Sequence, residues 1–110
     1  MEIAISTLTL AELAAGPYAA SDDLMRARRQ YHLQYVEAKA KALPFDVSCA
    51  HAWGRIYTAM ERAGRKARGA HAVDLMIAAT ALAHELPLYT LNPKDLRGLE
   101  NLLEIVDVGS

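Results

Sequence analysis

The chain has 110 residues, 53% hydrophobic and 23% charged, with a formal net charge of -1. That length sets a single domain over residues 1–110 as the expectation, and the composition suits a chain that builds a core. Near-neutral charge excludes a uniformly basic nucleic-acid or membrane-surface protein, so any nucleic-acid contact has to come from a local patch.

The β-branched run at Ile3 to Ser6 predicts a strand. Thr7 or Thr9 caps a short helix through Leu13, which Gly16 and Pro17 terminate. Ser21, Asp22 and Asp23 give an N-cap and first-turn acids to a long helix reaching about residue 42. Leu24, Ala27, Tyr31, Tyr35 and Ala38 form its apolar stripe. Arg26, Arg28 and Arg29 read as an exposed or partner-binding face of the same helix. Pro44 stops it, and residues 43–47 read as briefly extended. Ser48 caps a third helix with Trp53, Ile56, Tyr57 and Met60 inward, ending at Gly64. Arg65, Lys66 and Arg68 lie in a basic, glycine-flanked loop. A fourth helix spans about residues 72–84, followed by a strand at 86–90, a helical turn at 92–96 and a last strand at 104–108. Short strands alternating with helices predict an α/β fold with a parallel sheet, because parallel strands need crossover connections.

Cys49 is the only cysteine, so an internal disulfide is excluded and a reducing compartment fits. The histidines at positions 32, 51, 71 and 84 have no zinc-motif spacing. His71 and His84 read as helix-end residues, and none is given a catalytic role. The N-terminus lacks the pattern of a secretory leader and no apolar run spans a bilayer, so a cytoplasmic location is expected.

The residue with most to explain is Asp74. Its helical neighbours Ile77, Ala78 and Ala81 are apolar, which predicts a buried carboxylate in need of a partner. The alternative is a first-turn acid favoured by the helix dipole. Asp95 has two readings as well. Asn92, Pro93 and Asp95 fit N-cap, N1 and N3 of a helical turn. They also follow a strand, at the edge where open α/β sheets build sites, together with Thr90. Glu12 follows the first strand and projects from the same edge, or is an exposed helix glutamate. Converging carboxylates repel one another unless a cation relieves them, and hard oxygen ligands suit Mg²⁺ or Mn²⁺. The loop bearing Arg65, Lys66 and Arg68 then supplies positive charge for a phosphate backbone, or is a solvated connection.

The runs AISTLTLAELAAG, PFD and AGRKARGAHAVDLMIAATALAHELPLYTLNPKDL together resemble a PIN domain, and within that group the VapC toxins of bacterial toxin–antitoxin pairs. DLMIAATALAH followed by LYT-x-N-x-x-D is the specific part, and the resemblance covers nearly the whole chain. It implies a PIN-like three-layer α/β fold, with a short parallel sheet flanked by helices. It implies a Mg²⁺- or Mn²⁺-dependent endoribonuclease toxin acting on RNA phosphodiesters. Glu12, Asp74 and Asp95 then stand at the family's acidic, metal-binding positions and Asn92 in its T-x-N element. A homodimer and a cognate antitoxin lying across the active-site groove are implied with it. One departure stands out: the family's first strand, which carries an aspartate, has no counterpart here. The expectation is a PIN-like domain with its N-terminal strand absent, unpaired sheet edges and one ligand fewer. The alternative function is a catalytically silent module that binds only antitoxin or a sister subunit.

Overall fold

A computed structural model describes residues 3–67, 69, 71–90 and 93–108. The chain divides into two compact units, Met1–Pro44 and Phe45–Ser110.

The first unit runs β1 (Ile3–Ser6), α1 (Thr7–Ala15), α2 (Asp23–Lys39) and β2 (Ala40–Leu43). The strands pair in parallel, Ile3 opposite Ala40 and Ser6 opposite Leu43. Ser6 caps α1, its Oγ accepting the Leu8 N–H at 3.1 Å, one residue ahead of the expected threonine. Asp22 caps α2, one residue after the expected Ser21, accepting the Met25 N–H at 2.8 Å. The long helix ends at Lys39 rather than near residue 42, because the backbone turns extended at Ala40 and joins the β1 ladder. Strand pairing overrides local helix propensity there.

The apolar stripe of α2 also differs from expectation. Leu24, Tyr31 and Tyr35 are 64%, 71% and 55% exposed. The half-buried face carries Met25, Arg29, Leu33 and Val36 instead. Arg29 belongs there because its Nη1 donates to the Gly16 carbonyl at 2.9 Å, so it is not part of an open arginine face.

The second unit runs α3 (Val47–Arg62), α4 (Ala72–Ala83), β3 (Leu88–Thr90), a 3-10 turn (Pro93–Leu96) and β4 (Ile105–Asp107). Strands β3 and β4 pair in parallel, Leu88 opposite Ile105 and Thr90 opposite Asp107. The parallel pairing expected from the sequence is therefore present, as two separate two-stranded sheets. Asp46, not Ser48, caps α3: its backbone is extended and its carboxylate accepts the Cys49 N–H at 3.1 Å. The helix thus begins at Val47 and shortens the extended segment before it.

Helices α3 and α4 pack on each other around a core containing Ile56, Met60, Leu75, Ala78, Ala79, Leu96 and Leu99. Alanines at 78 and 79 are fully buried in this core. Trp53 and Tyr57 are only partly buried, packed against this core and edge-to-face with each other at 6.5 Å. Helix α4 ends with Glu85 in the left-handed region at φ 55°, and the Leu86 N–H closes the end on the Ala81 carbonyl at 2.9 Å, a geometry more often given to glycine.

Gly98 sits at φ 102°, and a Cβ there would come 2.9 Å from Ala63 Cβ, so only glycine lets this loop lie against the end of α3. Its N–H donates to both carboxylate oxygens of Glu100, at 2.9 and 3.0 Å. That bond, the Glu100 backbone N–H and the nearby charges of Arg65 and Arg97 hold the Glu100 carboxyl below its ordinary 4.5. A depressed folded value means the contribution to stability is present above 4.5 and is lost as pH falls through the folded value. The stability gap between wild type and Glu100→Gln is expected to narrow when denaturant midpoints are measured progressively below 4.5. A gap independent of pH would mean the carboxylate charge contributes nothing.

Candidate active site

Asp74 sits in the first turn of α4. Its side chain is 54% exposed, so the expected burial is corrected. Helical periodicity placed it correctly above Ala78 and Ala81, both buried. Side chains in a helix lean toward its N-terminus, however, and at the first turn that direction leads past the core to solvent. Burial starts one residue later, at Leu75. His71 lies one turn before it, its Nδ1 3.9 Å from Asp74 Oδ2, too long for a hydrogen bond.

Asp95 is half-buried on the 3-10 turn, next to the buried Leu96. The turn is held from the basic loop: Arg65 Nη1 donates to the Lys94 carbonyl at 2.8 Å and the Arg97 carbonyl at 3.2 Å. Arg65, expected as a phosphate contact or as part of a solvated connection, thus supports the backbone on either side of Asp95. Lys66 is exposed. It lines a cleft of ≈ 330 Å³ with Tyr57, Glu61, Arg65 and Ala67. Thr90 ends β3, its carbonyl accepting the Val108 N–H at 3.0 Å. Opposite it at the end of β4 lies Asp107, an acid that sequence reasoning did not single out. Arg68 and Asn92, both expected at the site, lie outside the described residues. Glu12 is exposed on α1. The expected acids are therefore divided between the units, Glu12 in the first and Asp74 and Asp95 in the second.

A different group does come together. Ligand atoms of Asp46, Cys49 and His84 lie within 4.8 Å of one another. Cys49 is fully buried, His84 half-buried and Asp46 exposed. The Asp46 carboxyl is held below its ordinary 3.8, first by the Cys49 backbone N–H and then by the Cys49 side chain, with His84 adding to the effect. The D-x-x-C spacing at a helix start was visible in sequence. His84, from the opposite end of α4, was not connected to it by any local pattern.

The PIN-domain family model matches residues 1–101. Ribonuclease VapC1 of Rickettsia felis is 32% identical over 106 residues, covering 96% of this chain and 76% of the relative. Ribonuclease VapC5 of Mycobacterium tuberculosis is 38% identical over 88 residues, covering 80% of this chain and 62% of the relative. Among solved structures, a member of the VapBC family of toxin–antitoxin systems, VapBC-5 from Mycobacterium tuberculosis, superposes with a TM-score of 0.80 at 34% identity, covering 94% of this chain and 79% of that one. The chain therefore belongs to the PIN-domain family and is VapC-like within it.

Proposed function

We propose that this chain is a Mg²⁺- or Mn²⁺-dependent endoribonuclease, the toxin of a toxin–antitoxin module, acting as a single PIN-like domain in the cytoplasm. The observation that carries the reading is Asp74: a carboxylate open to solvent, fixed at the end of a helix whose next residue is fully buried. A rigid helix and an exposed acid make a ligand whose position is set before anything binds. Its curated relatives VapC1 and VapC5 are named ribonucleases.

The donors fit the metal. Asp74, Asp95 and Glu12 offer only oxygen, the chemistry Mg²⁺ and Mn²⁺ take. Such an ion, when bound, polarises a phosphoryl oxygen and makes a coordinated water acidic. The chain's own residues do the positioning. Asp74 and Asp95 would hold the cation, with Asn92 orienting a ligand or the phosphate. Lys66 and Arg68 draw in the RNA backbone, Thr90 offers a hydroxyl at the strand end, and Arg65 adds charge while bracing the turn that carries Asp95.

A protein partner fits the first unit. No residue of α2 is buried among those described, and its Leu24, Tyr31 and Tyr35 are exposed. Exposed aromatic and apolar side chains in a row mark interaction surfaces. The similar solved structure is from a toxin–antitoxin family, which supports an antitoxin, or a second copy, as the occupant. Among the described residues no helix is long and apolar enough to cross a membrane.

The test is metal removal. RNA cleavage is expected with Mg²⁺ or Mn²⁺, to disappear on chelation and to return when either ion is restored. Cleavage that persists after chelation would overturn the metal mechanism, and no cleavage with either ion would leave the silent binding module as the function.

A further inference from the structure

We propose that Asp46, Cys49 and His84 form a second metal site, selective for Zn²⁺ and separate from the acidic residues assigned to the nuclease. It does not rest on the nuclease reading, since none of the three belongs to that set.

The ligand chemistry is the first argument. Thiolate sulfur, imidazole nitrogen and one carboxylate oxygen are a borderline-soft set that suits Zn²⁺ and not Mg²⁺. Geometry is the second. The three ligand atoms lie within 4.8 Å of one another. Zinc at bond lengths of about 2.0–2.3 Å draws tetrahedral ligands to within about 3.8 Å, a closure that side-chain torsions supply. The third argument is independent of both. His84 Nε2 is shut off from solvent and has no hydrogen-bond partner among the described residues. Buried ring nitrogens are normally satisfied, and a metal ion is one group that would satisfy an imidazole here.

The surrounding fold favours ionised ligand atoms at this place. Asp46 is the N-cap of α3 and Cys49 lies in its first turn, where the helix dipole stabilises anionic ligand atoms. The Asp46 carboxyl retains its charge to lower pH than usual. Arrival of the metal takes the Cys49 proton away to solvent, leaving the thiolate as ligand. Exposure of Asp46 gives the ion an entry, and a water completes the fourth position. His84 is the C-cap of α4. The ion would therefore tie the start of α3 to the end of α4, the two helices that build this unit's core.

The experiment titrates the purified full chain with Co²⁺ and then Zn²⁺. Wild type is expected to develop a cobalt–thiolate charge-transfer absorption that one equivalent of Zn²⁺ abolishes, and Zn²⁺ is expected to raise its Tm. Cys49→Ala and His84→Gln should each weaken Zn²⁺ binding by more than about 10-fold, the lower bound for losing even an outer partner of a bound metal. Asp74→Asn should leave both signals unchanged. Because Cys49 is buried, circular dichroism of metal-free Cys49→Ala establishes that it folds, and the more peripheral His84→Gln carries the test if it does not. A missing thiolate band in wild type, or Zn²⁺ affinity equal in wild type and His84→Gln, would overturn the site.

Discussion

Asp74→Asn is expected to reduce metal-supported RNA cleavage by on the order of 100-fold or more, with little change in stability. The loss follows from removing a charged ligand from a cation whose transition-state stabilisation is worth several kcal/mol, about 1.4 kcal/mol of which is a factor of ten in rate. The small stability change follows from position. Asp74 is more than half exposed in the first turn of α4, so its interaction with the helix dipole contributes about 0.3–1 kcal/mol at most. The neighbouring His71, at 3.9 Å and itself about half exposed, adds a surface pair of small worth. Initial cleavage rates at saturating Mn²⁺, set beside urea midpoints, separate the two effects. Activity equal to wild type would remove Asp74 from the site. A drop in activity matched by a drop in stability would return it to the role of a first-turn acid.

The two readings of Asp74 in the sequence differ by depth, which periodicity does not report. A repeat of about 3.6 residues assigns a face of the helix, and the face was right: Ala78 and Ala81 beneath it are buried. How far along the axis the core reaches depends on where α3 ends against α4, a tertiary fact. The same division holds elsewhere. The start of α2 within the Ser21–Asp23 run, the end of α3 before Gly64 and the short β1 strand were legible because caps, glycines and β-branched runs act locally. The end of α2 was not, since the ladder with β1 decides it. Nor was its half-buried face, because Arg29 lies on it, donating to the Gly16 carbonyl. The proposed roles of Glu12, Asp74 and Asp95 come from family resemblance, in which the three are matched by motif. The Asp46, Cys49 and His84 group had no such motif, and only the packing of α3 on α4 brings it together.

One residue further along α4, Leu75→Ala is expected to produce the opposite pattern. Leu75 is fully buried within the cluster that joins Ile56 and Met60 of α3 to Leu96 and Leu99 beyond β3. Truncation removes buried methyl groups and leaves a cavity the neighbours fill only in part, at about 2–5 kcal/mol. Small domains hold about 5–15 kcal/mol in total, so the urea midpoint should fall steeply while the slope of the transition stays the same. The acidic side chains on the surface are untouched, and the fraction still folded should cleave RNA at nearly the wild-type rate per folded molecule. Part of the effect reaches the site through Leu96, whose buried side chain shares the cluster and anchors the turn that carries Asp95. A cavity beside Leu96 loosens that anchor, so metal affinity is expected to fall modestly even where the protein remains folded. A cost below about 1 kcal/mol for Leu75→Ala, under the usual range for core leucines, would show that α4 is not held by this cluster, and the rigid placement of Asp74 would then lose its physical basis.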